Sequence, residues 1–238
     1  MITIKIAGLV IGINNRFERM NHFVREYLTD EEPMFIVDST EEDVLYERTH
    51  GMVGFEDDYV ESMAIYRKIA ERLPEYDAFL FHGAVILIDG AAYIISASSG
   101  VGKTTHMRLW LSEFSDVRIL NGDKPIVRII DGIPYACGTP WRGKENYGEN
   151  ITAPIKGFVL LERGEKNKAY RITPEEAVIK FMSQVYLPIG GRASLLKTMS
   201  LADKVIKSAT LVHLECNMQP EAAHVCRKAL FDSDDSSN

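Results

Sequence analysis

A chain of 238 residues suffices for one large domain or a modest domain with an N-terminal addition, and 46% hydrophobic with 26% charged residues is an ordinary globular composition. A net charge of −7 argues against a sequence-independent nucleic-acid binder, which needs a basic surface to displace counterions, yet permits a small anion in a local basic pocket. Three cysteines (Cys137, Cys216, Cys226) make no disulfide framework, and no apolar run approaches the roughly 20 residues of a membrane span, so a cytoplasmic protein with no membrane or nucleic-acid partner is expected.

The apolar opening IKIAGLVIGI lacks a small-residue cleavage site and runs into the polar NNRFERMNHF, so it reads as a buried first strand rather than a signal peptide. Short strands are expected at 2–13 and 34–38 around a helical segment at 15–28. A helix over 58–73 follows, with Val60, Met63, Ala64, Ile69 and Leu73 on one apolar face and Pro74 as its stop. In FLFHGAVILIDGAAYIISA two apolar runs are broken by Asp89-Gly90, a hairpin signal because the turn it favours needs positive φ at both positions. That register sets Ile88 against Ala91 and, continued along the ladder, His82 opposite Ala97.

Met107, Trp110, Leu111 and Phe114 repeat at helical spacing, so SASSGVGKTT opens a helix. Strand-like runs at VRIL, PIVRII and GFVLLE, a helix over 174–186 behind the capping pattern TPEE, a helix near 200–207, a strand at ATLVHLEC and a helix over 219–230 follow. The tail FDSDDSSN, 231–238, is expected to be disordered. The pattern predicts an α/β protein: a mixed-sheet nucleotide-binding core over 76–230 and a small N-terminal α+β region over 1–75 packed on it.

The chemistry centres on SASSGVGKTT. It has the Gly-Lys-Thr ending of the phosphate-binding pattern G-x-x-x-x-G-K-[ST], with Ala97 where the first glycine belongs; alanine fits there if its φ is negative. Ser99, Gly100, Val101 and Gly102 would cradle phosphate with backbone N–H groups at a helix N-terminus, Lys103 would reach the outer phosphates, and Thr104, followed by Thr105, would bind Mg²⁺. His82 at the mouth of the loop is placed to contact a γ-phosphate, a metal or a carboxylate. Asp123 in RILNGDKPIVRI stands where a carboxylate should help hold Mg²⁺, although Asn-Gly-Asp-Lys-Pro also suits a plain turn. In CGTPWRGKENYGEN, Arg142 and Lys144 beside Trp141 suit charge stabilisation or clamping of a substrate, or else a solvated surface loop. His213, Cys216, His224 and Cys226 resemble zinc ligands by type only, since their spacing on a strand and a helix separates them. LERGE reads as a strand end and turn without chemistry of its own.

FHGAVILIDGAAYIISASSGVGKT resembles the HPr kinase/phosphorylase family, in which a histidine-glycine begins a hairpin ending in G-D-S-G-x-G-K-S; His82 and Ser99 to Thr104 match those positions. The resemblance implies a carboxykinase-like α/β fold, ATP and Mg²⁺ as cofactors, and an ATP-dependent kinase acting on a hydroxyl of a peptide, protein or small molecule. Within it His82, Asp123 and Arg142 would be catalytic, Trp141 and Lys144 would bind substrate, and a homo-oligomer is compatible. The alternative is an ATP-binding regulatory or accessory protein with little transfer activity. Three departures stand out: Ala97 replaces the first loop glycine, Gly122-Asp123 replaces a paired Asp-Asp, and Pro140-Trp141-Arg142-Gly143 replaces Glu-x-Arg-Gly.

Overall fold

A computed structural model describes residues 1–232, so the tail expected to be disordered lies outside the described residues from 233 onward. The chain opens with β1 (Ile2–Ile6) and β2 (Leu9–Asn14), an antiparallel hairpin where one strand was expected. The turn Ala7-Gly8 has positive φ at both residues, like the turns at Asp89-Gly90 and Asp131-Gly132. The expected helical segment is the short α1 (Arg19–Phe23) and a 3₁₀ turn (Arg25–Tyr27), after which β3 (Phe35–Asp38) adds parallel to β2. α2 (Glu41–Thr49) was not expected; Thr40 and Asp43 cap its start reciprocally. α3 (Asp57–Arg72) buries Val60, Ala64, Ile65 and Ile69 and gives way to a 3₁₀ turn containing Pro74.

β4 (Ala78–Leu80), β5 (Ala84–Ile88) and β6 (Ala91–Ser96) lead to α4 (Lys103–Glu113), and then come β7 (Arg118–Asn121), β8 (Ile126–Ile130), β9 (Ile133–Cys137) and the twelve-residue β10 (Thr152–Arg163). β11 (Lys168–Arg171), α5 (Pro174–Met182), α6 (Arg192–Ser208), β12 (Thr210–Cys216) and α7 (Glu221–Phe231) complete the chain. α5 ends earlier than expected, α6 is about twice as long, and Phe231, assigned to the tail, closes α7.

Nine strands form a curled mixed sheet in the order β4-β8-β9-β10-β6-β5-β7, with β12 and then β11 branching from β10. The branch is possible because β10 is long: Thr152–Pro154 pairs antiparallel with β9, while its later residues pair parallel with β6 and β12. α5 and α6 cover one face around Phe79, Phe81, Phe158 and Phe181, and α4 and α7 cover the other around Ile86, Ile95, Trp110 and Val159. A third cluster joins the N-terminal strands and α3 to Leu80, Ile126 and Trp141. Among the described residues no helix is long and apolar enough to cross a membrane, and the three cysteines are buried and unpaired.

This topology concentrates strand ends. β6, β7, β10 and β12 all finish at one edge of the sheet, and the antiparallel β5 begins there. Ala97, Asp123, Arg163, Asn217 and His82 therefore meet at that edge, although 135 positions separate the first of them in sequence from the last.

Candidate functional site

The loop Ala97–Gly102 joins β6 to α4. Ala97 has no positive φ and is buried in the core behind the loop, which is why alanine serves where the pattern has glycine. Gly100 and Gly102 carry φ of 77° and 128° with open space where side chains would project, so the loop is lined by backbone. α4 starts without a capping side chain and without an acidic residue in its first turn. Its earliest backbone bond runs from His106 N to Gly102 O at 2.9 Å, leaving the N–H groups of Lys103, Thr104 and Thr105 at the positive end of the helix.

Arg163, at the end of β10, holds the loop from outside. Its Nε donates to Val101 O at 2.9 Å and an Nη donates to Gly100 O. Because a peptide is planar and trans, a Val101 carbonyl turned toward Arg163 turns the Gly102 N–H the opposite way. The sequence LERGE by itself suggests no chemistry for Arg163. Its contribution depends on a contact across 62 positions of sequence, which local pattern cannot show.

Lys103 is buried, and its Nζ donates to Ala97 O at 3.1 Å. Burial lowers its pKa, with Asp123 opposing and Lys124 reinforcing that shift. An ammonium in this state, supplied with a single carbonyl, is held at an electrostatic disadvantage that an anion in the loop would relieve. Thr104 and Thr105 are half-buried beside it, while Ser98 and Ser99 are exposed.

His82 and Asp123 come together. The hairpin register runs as expected, Ile88 against Ala91 through Ala84 against Ile95, and the next residues back include His82, whose Nε2 lies 3.3 Å from Asp123 Oδ1. On the other ring edge Nδ1 lies 2.9 Å from Gln184 Oε1. The orientation of that amide follows from its neighbours. Ser183 Oγ donates its only hydrogen to Lys180 O at 2.7 Å, so it accepts from Gln184 Nε2 at 2.8 Å. Gln184 Oε1 thus faces His82, Nδ1 is the donor, and contact with the carboxylate is attractive when Nε2 also carries a proton.

Burial alone would raise the Asp123 carboxyl, but His82 and the adjacent Lys124 ammonium outweigh it and hold the group down at about 2. Its backbone is equally fixed: Asp123 O accepts from Gly83 N at 2.9 Å, and the fully buried Asn121 accepts from the N–H groups of Asp123 and Lys124 while donating to Thr139. Asn-Gly-Asp-Lys-Pro is therefore a turn, and one that presents a carboxylate to the loop. Gly122 is required there, because a Cβ would lie 2.5 Å from Arg142 O and 3.2 Å from Tyr147 O.

Trp141 and Arg142 must be reassigned. Trp141 is buried against Phe23 and Tyr66 and donates to Ser62 O at 3.2 Å, so it is core rather than substrate contact. Arg142 turns its guanidinium to Glu26 Oε2 at 2.5 Å and the Tyr27 hydroxyl at 3.2 Å, which ties the segment to the N-terminal region instead of facing the loop. Lys144 is exposed. What borders Asp123 is the backbone at Gly143, where a Cβ would come within 3.0 Å of the Asp123 Cβ.

Thr104 and Asp123 fit Mg²⁺ in kind: one hydroxyl and one ionised carboxylate, to be completed by phosphate oxygens and water. No group of three His, Cys, Asp or Glu side chains positioned for a metal occurs among the described residues, so a cation would depend on phosphate for much of its shell, and zinc at His213, Cys216, His224 and Cys226 is not supported. His224 pairs with Glu113 at 2.9 Å and His213 faces Glu162 at 3.6 Å.

Two pockets of about 340 Å³ each flank the loop. One, on the α5 side, is polar and bounded by Ser98, Glu162, Lys180, Ser183 and Gln184; the other, on the α4 side, is bounded by Thr105, His106, Leu161, Cys216 and Met218. Fold and site together define a mixed α/β protein with a strand, a glycine-lined loop and a helix start at the converging ends of its sheet. No family model matches the chain, and no curated protein matches it. Among solved structures, the HPr(Ser) kinase/phosphatase from Coxiella burnetii is similar over 50% of this chain and 86% of its own, at 10% sequence identity and a TM-score of 0.30. At that level of likeness the chemistry rests on the residues of the site itself.

Proposed function

We propose that the protein is an ATP-dependent, Mg²⁺-requiring phosphotransferase that moves the γ-phosphoryl group to a hydroxyl of a peptide, protein or small-molecule acceptor. The observation that carries this reading is Lys103, a buried ammonium with one carbonyl partner, standing over a glycine-lined loop at an uncapped helix start. The free N–H groups and Lys103 bind the phosphates. Arg163 keeps the loop carbonyls turned outward. Thr104 and Asp123 would hold the metal, which when bound neutralises charge on the phosphoryl oxygens. His82, oriented by Gln184 and Asp123, stands beside the transferring group, and the polar pocket beside Gln184 receives the acceptor.

A second reading, an ATP-binding regulatory protein with little transfer activity, is favoured by the same carboxylate. A group held at about 2 is a poor proton acceptor, and Gly122 leaves no space for another. Transfer through a loose transition state tolerates a weak base, because positioning and charge stabilisation dominate. ATPase and phosphotransfer rates of wild type and His82→Ala separate the two readings. A kinase loses about 10²-fold or more in turnover in the variant while ADP affinity holds. Unchanged turnover removes His82 from the chemistry, and a wild type that binds ATP without turnover favours the regulatory protein.

A further inference from the structure

Lys124 follows Asp123 in the same turn, on a backbone that is fixed on both sides. Its N–H donates to Asn121 Oδ1 at 2.8 Å, and its carbonyl accepts from Thr139 Oγ1 at 2.7 Å. The side chain is 30% exposed, and its ammonium lies on Asp123 Oδ2, its one side-chain partner among the described residues. Asp123 Oδ1 faces His82 Nε2 at 3.3 Å, so both oxygens of the carboxylate are already engaged. Lys103 is close enough to respond to both members of the pair, its pKa being raised by Asp123 and lowered by Lys124. Two ammonium groups therefore converge beside the loop against one carboxylate.

This arrangement opposes a metal ion and favours phosphate. A divalent cation needs a carboxylate oxygen as ligand, and an ammonium on that same oxygen repels it. Of the two groups on Asp123, Lys124 is the one free to leave. The His82 ring is held on its other edge by Gln184 Oε1 at 2.9 Å, and His82 N donates to Gln184 O at 2.8 Å. The Lys124 ammonium has no second partner and rides on a flexible four-carbon stem, with three donors suited to phosphate oxygens. Released from Asp123, it stays tethered to the turn that faces the loop.

We propose that Lys124 is a second phosphate-binding cation of this site, and that it exchanges its ion pair with Asp123 for contact with the phosphates when a divalent cation takes the carboxylate. The inference rests on the phosphate-site reading above. Metal and phosphate then assist one another, because each draws Lys124 away from the place where it obstructs the other's binding.

Two probes test this separately in wild type and Lys124→Met: inorganic tripolyphosphate by calorimetry, and Mn²⁺ by electron paramagnetic resonance without any phosphate. Tripolyphosphate should bind about tenfold more weakly to Lys124→Met, the loss of one charge-assisted contact. Mn²⁺ should bind the same variant about fivefold or more tightly than it binds wild type. That gain should vanish when Asp123→Asn is combined with Lys124→Met, which a general change in surface charge would not produce. Lys124→Arg, which keeps the charge and the fold, should retain tripolyphosphate affinity. Unchanged tripolyphosphate affinity in Lys124→Met overturns the phosphate contact. No gain in Mn²⁺ binding, or a gain that survives Asp123→Asn, overturns the exchange while leaving the loop as a phosphate site. Failure of wild type to bind tripolyphosphate overturns the phosphate site and, with it, this inference.

Discussion

Gly122 offers a test of why a carboxylate is missing beside Asp123. Adding a single Cβ places it 2.5 Å from Arg142 O and 3.2 Å from Tyr147 O, and the nearer of those atoms belongs to backbone that cannot rotate aside. The segment must shift or the turn must open, and overpacking of this kind costs about 1–3 kcal/mol. For a chain of this size that corresponds to a fall in Tm of about 2–12 °C. Gly122→Ala should show that fall in thermal denaturation, and Gly122→Asp should fall at least as far, since its charge would also sit beside Asp123. The strain is local to the turn that presents Asp123, so Gly122→Ala should also weaken Mg²⁺-dependent nucleotide binding. A Gly122→Ala protein with wild-type Tm would refute the steric argument, and a Gly122→Asp protein with raised turnover would show that the site accepts the second carboxylate.

Asp123 has a folded pKa depressed from 3.8 to about 2, so its ionisation contributes stability that is complete above about pH 4 and is lost as pH falls through about 2. Asp123→Asn should therefore be less stable than wild type by roughly 2 kcal/mol at neutral pH, with the difference shrinking across that acid window in urea titrations; a constant difference would contradict the assignment. Arg142 and Arg163 should separate stability from binding. Arg142→Met should lower stability by about 1–3 kcal/mol by removing the partner of the buried Tyr27 hydroxyl, with ATP affinity retained, whereas Arg163→Met should keep most of the stability and lose about tenfold or more in ATP affinity. The opposite pattern in calorimetry and denaturation would reverse the roles given to these two residues.

What could be read from the sequence was local. The Asp89-Gly90 turn determined a hairpin and placed His82 near the loop, because turn geometry and strand period propagate residue by residue. The same signal at Asp131-Gly132 marks the hairpin of β8 and β9, and Thr40 with Asp43 marks α2; β4 and β11 are too short to show a period. The site divides in the same way. The loop from Ser99 to Thr105 is contiguous and legible. Arg163, Gln184 and Asn121 with Thr139 act across the fold, through contacts between segments far apart in sequence. Trp141 and Arg142 misled because an aromatic next to a cation suits a binding loop and a core anchor equally well, and the choice is made by Glu26, Tyr27, Ser62 and Tyr66, all more than 70 residues earlier in the chain.

Lys103 bears most directly on the proposed phosphate site. A buried ammonium with one carbonyl partner costs the empty protein stability and is retained for its ligand, so removing the charge should not weaken the fold. Calorimetry of wild type and Lys103→Met with Mg²⁺ and ATP, alongside their Tm values, measures both sides of that statement. The expected result is binding by wild type, affinity reduced about 100-fold or more in Lys103→Met, and a Tm equal to or above that of wild type. A folded wild type that does not bind ATP, or a Lys103→Met protein that binds it equally well, would contradict the assignment of this loop as a phosphate site.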